Sequence, residues 1–291
     1  MDHEQLRTLV AVVDEGSFEA AATALAITPS AVSQRVKSLE SGVGHLLVRR
    51  ETPPVPTHAG EVLLRLAREQ ELLHREARAA LGQSAIGPSV LTLAVNADSL
   101  ATWFGEVIEE LATWDGVTVR LRVDDQDHTR ELLRSGAVLG AVTAEVQPVS
   151  GCRAVPLGSM RYLPCAAPEL VDRYRRGRRL DWDRLPVLRF NARDDLQAAF
   201  LRRNGHVGGV VHEIPGSDPF VCAILAGLGW GLIPQEQLAD HLTTGRLVRL
   251  SREHVDIPLH WQAWSARSDL LTRLADTVTA TARRHLGSPH P

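Results

Sequence analysis

The fold is decided by residues 18–40, which read FEAAATALAITPSAVSQRVKSLE. Ser17 offers a helix N-cap before this stretch, and Thr28 followed by Pro29 forms a second helix start. On the second helix the apolar residues share one face, namely Ala31, Val32, Val36 and Leu39. The other face carries small polar and basic residues, namely Ser30, Ser33, Gln34 and Lys37, with Arg35 toward its edge. Two short helices with so short a connection predict a helix-turn-helix.

The polar face of the second helix suits the major groove of DNA. Hydroxyls and a long amide can hydrogen-bond to base edges, while Arg35 and Lys37 can reach phosphates. The alternative, on these residues alone, is a three-helix packing unit whose third helix is solvated. Residues 3–15 supply the preceding helix, because their apolar positions repeat at helical spacing.

Residues 42–56 are bounded by glycine and proline around a short apolar core, which predicts a two-stranded wing. Arg49 and Arg50 would then touch a phosphate or a minor groove. Thr57 can cap a long helix over residues 58–81, in which a seam repeats with a period of about 3.5 residues. The seam comprises Ala59, Leu63, Leu66, Gln70, Leu73, Ala77 and Ala80. It predicts pairing with a second copy, so that a dimer presents two recognition helices to a two-fold operator.

These segments resemble the LysR-type transcriptional regulators. The resemblance rests on residues 18–25 and 28–40, on the wing ending at Arg49, and on the helix start Thr57-His58-Ala59-Gly60. Many members of that family carry a glutamine at the position of Pro29, and that glutamine is expected to read a base. Because proline cannot do so, base reading should shift to Ser30, Ser33 and Gln34. The resemblance implies double-stranded operator DNA as partner and a homodimer that assembles into a homotetramer.

The overall charge argues against a protein that coats nucleic acid or membranes without specificity. The 291 residues carry 32 Lys and Arg against 35 Asp and Glu, a net charge of −3. Even residues 1–82 hold nine cations against eleven acids. DNA binding must therefore rest on a few placed cations and on helix N-termini, and we expect a modest salt dependence.

The sequence shows no sign of secretion or of a membrane span. Its three cysteines, Cys152, Cys165 and Cys222, form no CxxC pair, and an odd number cannot all pair within one chain. The N-terminus lacks the apolar core of a signal peptide, and the uncharged stretch 219–235 is broken by glycine and proline. We expect a cytoplasmic protein.

Residues 83–89 are rich in glycine, serine and proline and predict a hinge. Beyond it, strand and helix patterns alternate, which indicates an α/β fold. We predict strands at 90–95, 117–123 and 138–143, helices at 100–113 and 127–135, and a second set of elements from Arg161 onward. The predicted domains are a winged helix-turn-helix head (1–57), a linker and dimerisation helix (58–82), the hinge (83–89), a first lobe (90–161 with 265–291) and a second lobe (162–264). The family resemblance implies that the two lobes form a periplasmic-binding-protein-like effector domain.

Ligands of open α/β sheets bind outside the carboxyl ends of the strands, which nominates particular loop residues. After the first three strands these are Asn96, Asp98, Ser99 and Thr102, then Asp124 with Asp125, then Thr143. In the second lobe they are Asn191, Asp194 and Asp195. Acids predominate, so the predicted effector is positively charged, such as lysine or arginine, with its carboxylate at the helix N-terminus near Ser99. The alternative is helix capping, because Asp98, Ser99 and Asp194 sit where N-caps belong.

Several segments also resemble the basic-amino-acid-responsive LysG/ArgP subgroup of the same family. They are VNADSLATW (95–103), VDDQDHT (123–129), FN (190–191) with DDLQ (194–197), and GLGWG (227–231). This resemblance implies a regulator that senses lysine, arginine or histidine and activates a gene for a basic-amino-acid exporter.

Other functions make different predictions. A LysR-type regulator of another pathway would bind an organic acid, and a non-specific nucleoid or origin-binding protein would show no operator preference. An enzyme is not expected, because the sequence has no GxSxG or HExxH motif and GLGWG follows a helix rather than a strand. We therefore predict no catalytic residue, metal or cofactor. The six tryptophans are expected to pack in the core, with Trp103 and Trp261 as those that could line the cleft.

Overall fold

A computed structural model describes residues 1–82, 89–123 and 126–287. The head comprises the helices α1 (His3–Asp14), α2 (Phe18–Ala24) and α3 (Pro29–Val43) and the wing strands β1 (Val48–Arg49) and β2 (Val55–Pro56). Each helix starts at a capping side chain, since Asp2, Ser17 and Thr28 accept from the backbone N–H three residues on. These caps confirm the predicted helix starts. Helix α2 ends at Ala24, and Ala26 has a φ of +53°, which lies in the left-handed region.

The head has its own apolar core. Val32, Val36 and Leu39 of α3 are at most 1% exposed and pack with residues of α1 and of the long helix α4 (His58–Ala80). Thr57 caps α4 as predicted, because its Oγ1 accepts from the Gly60 N–H at 3.1 Å. Leu63 of the predicted dimer seam is buried in this core, whereas Leu73 and Ala77 are exposed. Only the second half of the seam is therefore free to meet another chain.

The effector domain is built on one seven-stranded sheet. Its strands are β3 (Ser89–Val95), β4 (Val117–Val123), β5 (Gly140–Thr143), β6 (Cys152–Ala166), β11 (Gly231–Pro234), β12 (Val248–Arg249) and β13 (Val255–Trp264). Strands β3, β4 and β5 are parallel, while the long strands β6 and β13 pair antiparallel and run through both lobes. The register of that pair shifts between Leu259 and His260. Because β6 and β13 each run through both lobes, the lobe boundaries after Arg161 and Trp264 stay a prediction.

The remaining elements cover the sheet or form the second lobe. The first group is α5 (Ala97–Ala101), α6 (Phe104–Leu111), α7 (Gln126–Arg134) and α12 (Asp269–His285). The second group is α8 (Pro168–Tyr174), β7 (Arg175–Arg176), β8 (Arg179–Leu180), β9 (Val187–Arg189), α9 (Leu196–Arg203), β10 (Val211–Glu213), α10 (Ser217–Leu225), a 3-10 turn (Gln235–Gln237) and α11 (Ala239–Thr243). The predicted hinge falls outside the described residues except for Ser89, which begins β3.

One prediction about these elements is wrong, and one strand was not predicted. The helix predicted at 100–113 is two helices, because the Thr102 hydroxyl donates to the Asp98 carbonyl at 2.6 Å and the Thr102 backbone leaves the helical region. Helix α5 begins at Ala97, so Ser99 lies inside its first turn rather than at its start. The fifteen-residue strand β6 was not predicted, since Pro156, Gly158 and Pro164 interrupt its apolar pattern.

The tryptophans pack in the core as predicted. Five of the six are at most 6% exposed, including Trp103 and Trp261 at 1%. Among the described residues, no helix is long and apolar enough to cross a bilayer.

Candidate functional site

Helix α3 presents a polar face to solvent because its opposite face is locked into the head core. Ser30, Gln34 and Lys37 are exposed and Ser33 is half-buried. The Ser30 hydroxyl lies 3.0 Å from the Thr28 hydroxyl that caps the helix. Ser33 and Gln34 are therefore the more available hydrogen-bonding side chains on this face.

The predicted DNA-contacting cations differ in their partners. Arg35 donates to Glu4 at 3.1 Å, and Arg49 lies 3.3 Å from Glu51. The Arg50 guanidinium stacks 5.4 Å from the ring centroid of Phe18. Lys37 has no ion-pair partner in the part of the chain that the structure describes. A phosphate that approaches Arg35 or Arg49 must compete with a carboxylate, whereas Lys37 is unopposed.

A second polar site lies where the two lobes meet, around Asp98 of α5. Its carboxylate accepts from the Tyr162 hydroxyl of β6 at 2.7 Å and from the Ser217 hydroxyl of α10 at 2.8 Å. Ser217 also lies 3.2 Å from Gln237 Oε1. Because α5 follows the first-lobe strand β3 and α10 belongs to the second lobe, Asp98 connects the lobes directly.

The electrostatics of this cleft are negative. Burial raises the pKa of the Asp98 carboxyl, and the neighbouring Asp194 raises it further, while the hydrogen bonds from Tyr162 and Ser217 oppose the rise. Burial also raises the pKa of Tyr162, and the charges of Asp98, Glu236 and Asp194 act in the same direction. Within the described part of the chain, no cation contributes to either shift. The charges that act on Asp98 and Tyr162 from the described residues are therefore all negative.

The other predicted effector residues of the first lobe differ in their hydrogen bonds. Asn96 Oδ1 and Ser99 Oγ are buried and have no hydrogen-bond partner among the described residues. Thr143 ends β5 and is 4% exposed, with its Oγ1 accepting from the Glu145 N–H at 3.1 Å. The Thr102 hydroxyl is committed to the Asp98 carbonyl. Asp124 and its neighbour Asp125 lie outside the described residues.

The predicted residues of the second lobe divide into two groups. Asp194 accepts from the N–H groups of Phe190 and Leu196 at 2.8 and 3.0 Å, so it orders the turn into α9 while its charge acts on Asp98. Asn191 accepts from the Arg193 N–H at 2.8 Å in the same turn. Asp195, by contrast, is exposed and pairs with Arg202 at 3.1 Å on α9. The structure thus brings Asp194 to the cleft and leaves Asp195 on the surface.

Two family profiles match this chain. The first, described as "Bacterial regulatory helix-turn-helix protein, lysR family", covers residues 3–61, and the second, "LysR substrate binding domain", covers residues 85–287. The chain belongs to the LysR family. It is a DNA-binding transcriptional regulator, with a winged head and an effector domain.

Individual LysR-family relatives are similar over their whole length. The chain is 49% identical to the "Lysine export transcriptional regulatory protein LysG" of Corynebacterium efficiens, over 98% of this chain and 99% of that protein. It is 48% identical to a structure described as full-length LysG from Corynebacterium glutamicum with bound effector Arg, with a TM-score of 0.84 and coverage of 99% and 100%. It is 43% identical to the crystal structure of ArgP from Mycobacterium tuberculosis, with a TM-score of 0.91 and full coverage of both chains.

Sequence reasoning missed some side chains of this LysR-family cleft. Tyr162 lies on β6, the strand that was not predicted, so no pattern pointed to it. Ser217 precedes Asp218 and Pro219, a combination typical of a helix start, which concealed its contact with Asp98.

Proposed function

We propose that this LysR-family regulator senses a basic amino acid, either arginine, lysine or histidine, in the cleft between its lobes and thereby controls a gene for a basic-amino-acid exporter. The observation that carries the proposal is Asp98, a carboxylate that accepts hydrogen bonds from Tyr162 and Ser217 and has the acid Asp194 acting on it. The similarity to the LysG structure with bound effector Arg supports the same ligand class.

The chemistry of the cleft favours a cationic ligand over an organic acid. An ammonium or guanidinium group can replace the hydroxyl donors at Asp98 and relieve the repulsion between Asp98 and Asp194. The unpartnered Asn96 and Ser99 oxygens, Thr143, Asn191 and the first-turn N–H groups of α5 supply polar contacts for the rest of the ligand. An effector that carries only carboxylates would add negative charge to a site that already repels it.

Titration calorimetry tests the effector class. Arginine or lysine should bind the full-length protein, and a panel of organic acids should not. A protein that ignores lysine, arginine and histidine but binds an organic acid would instead belong to another pathway.

The DNA-contacting roles form the second part of the proposal. Ser30, Ser33 and Gln34 read bases in the major groove, while Arg35, Lys37, Arg49 and Arg50 contact phosphates. The exposed apolar side chains of α4, Val62 and Leu73, support pairing of two chains and assembly of dimers into a tetramer on duplex operator DNA. A protein with this role works in the cytoplasm and changes no covalent bond. Footprinting on the promoter region beside its gene should give a defined protected site, whereas a nucleoid-binding protein would protect none.

The proposed response is a shift between two lobe arrangements. Because Asp98 bonds to β6 and α10, a ligand that takes over Asp98 changes what holds the lobes together. Such a ligand alters the spacing of the heads only if it binds the two arrangements with different affinities, and about 1–3 kcal/mol of difference is enough for useful coupling.

A further inference from the structure

The second lobe carries a strongly basic β-hairpin that plays no part in the cleft. Residues 173–184 read RYRRGRRLDWDR and include six arginines. Strands β7 and β8 form the hairpin, and Gly177 and Arg178 form its two-residue turn. Gly177 has a φ of +62°, which explains the glycine at the tip. We call residues 173–180 the arginine hairpin.

The cations of the arginine hairpin are exposed and mostly unpaired. Arg176 pairs with Asp181 at 3.0 Å. Arg175, Arg178 and Arg179 are exposed and have no ion-pair partner in residues 1–82, 89–123 or 126–287. In the strand register Arg176 stands directly opposite Arg179, and like charges in that position destabilise a hairpin. An anion bound between these side chains would remove that repulsion.

The composition of this surface favours a polyanion over a protein as the partner. Protein interfaces have an apolar core, and the residues from Arg175 to Arg179 include no apolar side chain. The apolar residues that flank them, Tyr174 and Leu180, pack inward against the effector-domain core. What remains outward is a set of exposed guanidinium groups, each of which can bind a phosphate by donating two parallel hydrogen bonds.

The charges of the head indicate a role for these arginines. Residues 1–82 carry more acids than cations, and two of the head arginines expected at DNA are paired with Glu4 and Glu51. We propose that the arginine hairpin binds the phosphate backbone of duplex DNA outside the sequence that α3 reads. This proposal rests on the DNA-binding function of the family, and it adds a sequence-independent contact by the effector domain.

The test compares full-length proteins on two DNA fragments. The long fragment is the whole promoter region beside the gene, and the short fragment contains only the core that the heads read. The variant R175S/R178S/R179S removes three cations and keeps the Arg176–Asp181 pair. The control R246S/R252S/R267S removes the same charge from exposed arginines elsewhere in the effector domain. A further variant, R175K/R178K/R179K, keeps the charge.

On the long fragment, the affinity of the serine variant should depend less on salt than that of the unmodified protein. The magnitude of the slope of log affinity against log salt concentration should fall by about 3 for each hairpin that contacts DNA. The affinity deficit of the serine variant relative to the unmodified protein should therefore shrink about 40-fold between about 50 and 200 mM salt. On the short fragment both proteins should bind alike, and the lysine variant should stay within about threefold of the unmodified protein on both.

Several results would overturn the proposal. They are an unchanged salt slope on the long fragment, an equal loss on both fragments, an equal loss in the control, or a lysine variant as weak as the serine variant. Normal DNA binding with lost transcription would assign the hairpin to an acidic protein partner instead. Calorimetry with arginine on the serine variant tests the effector cleft independently of the hairpin. The effector should still bind this variant even if the hairpin assignment is wrong.

Discussion

Arg134, at the end of α7, donates to Glu61 of α4 at 3.2 Å and so joins the effector domain to the linker helix. The Glu61 side chain is only 6% exposed, and its Oε2 lies 3.7 Å from His58 Nδ1. The next residue, Ser135, accepts from Arg68 of α4 at 2.9 Å through its carbonyl. The contact between head and first lobe therefore contains a buried carboxylate.

Glu61 should make stability depend on pH in an unusual direction. Burial raises the pKa of Glu61 above its usual 4.5, the neighbouring Glu131 raises it further, and Arg134 and His58 oppose the rise. A raised carboxyl pKa means that the folded state binds the proton more tightly than the unfolded state. The contribution of Glu61 is therefore most favourable below pH 4.5 and is lost as the pH rises through the folded-state pKa.

Glu61→Gln removes this titration and preserves the side-chain shape. The difference in Tm between the unmodified protein and this variant should move in favour of the unmodified protein as the pH falls from neutral toward 4.5. Glu19→Gln, on the exposed surface of α2, is the control that removes one carboxylate outside this contact. Parallel profiles for Glu61→Gln would contradict a buried, ionised Glu61.

Asp98→Asn should separate effector binding from folding. At neutral pH the raised pKa of Asp98 reflects a cost of keeping a buried carboxylate ionised, so the ligand-free variant should have an unchanged or higher Tm. Its affinity for arginine should fall about 10- to 100-fold, since a charge-assisted hydrogen bond contributes about 1.5–3 kcal/mol. Calorimetry and thermal unfolding on the same sample measure both quantities.

Asp195→Asn is the matched control for Asp98→Asn. Its carboxylate is exposed and pairs with Arg202 on α9, so arginine affinity should stay unchanged. If the two variants lost affinity equally, the ligand would not be held by Asp98 in particular.

The head separates base reading from phosphate contact. Ser33→Ala or Gln34→Ala should reduce the preference for operator over unrelated DNA, because both side chains are on the open face of α3. Arg49→Ala should weaken binding to all sequences alike, since a phosphate contact carries no base information. Competition binding with operator and unrelated duplexes measures both effects. A changed base preference in Arg49→Ala would show that the wing reads sequence.

The head was predictable from sequence because its signals are local. Thr28 and Pro29 mark the start of α3, and the hydroxyl of Thr28 does accept from the Ala31 N–H. The cleft was predictable only in part, since Asp98 and Ser217 are 119 residues apart and meet through packing. Strand β6 was invisible for a related reason. Its prolines and Gly158 suit a turn locally, and its pairing with β13, β11 and β12 makes it a strand.

The segment Thr57-His58-Ala59-Gly60, which resembles the LysR family, ends in a glycine for a structural reason. Gly60 lies in the first turn of α4 with the backbone of Leu47 packed against it, and a Cβ at this position would lie 2.0 Å from the Leu47 carbonyl oxygen. Because the obstacle is backbone, it cannot rotate away. Gly60→Ala should therefore separate the wing from α4 and destabilise the head by about 1–3 kcal/mol.

Gly105→Ala provides the opposite case. Gly105 is also helical, in α6, but a Cβ there would meet nothing within 4 Å. Alanine should then stabilise the effector domain by about 0.5–1 kcal/mol, because it restricts the unfolded chain and favours the helix. Denaturant unfolding followed by separate probes of head and effector domain resolves the two effects. Equal stabilisation by both substitutions would mean that α4 and Leu47 are not in contact, and the head would then need a different attachment to its linker helix.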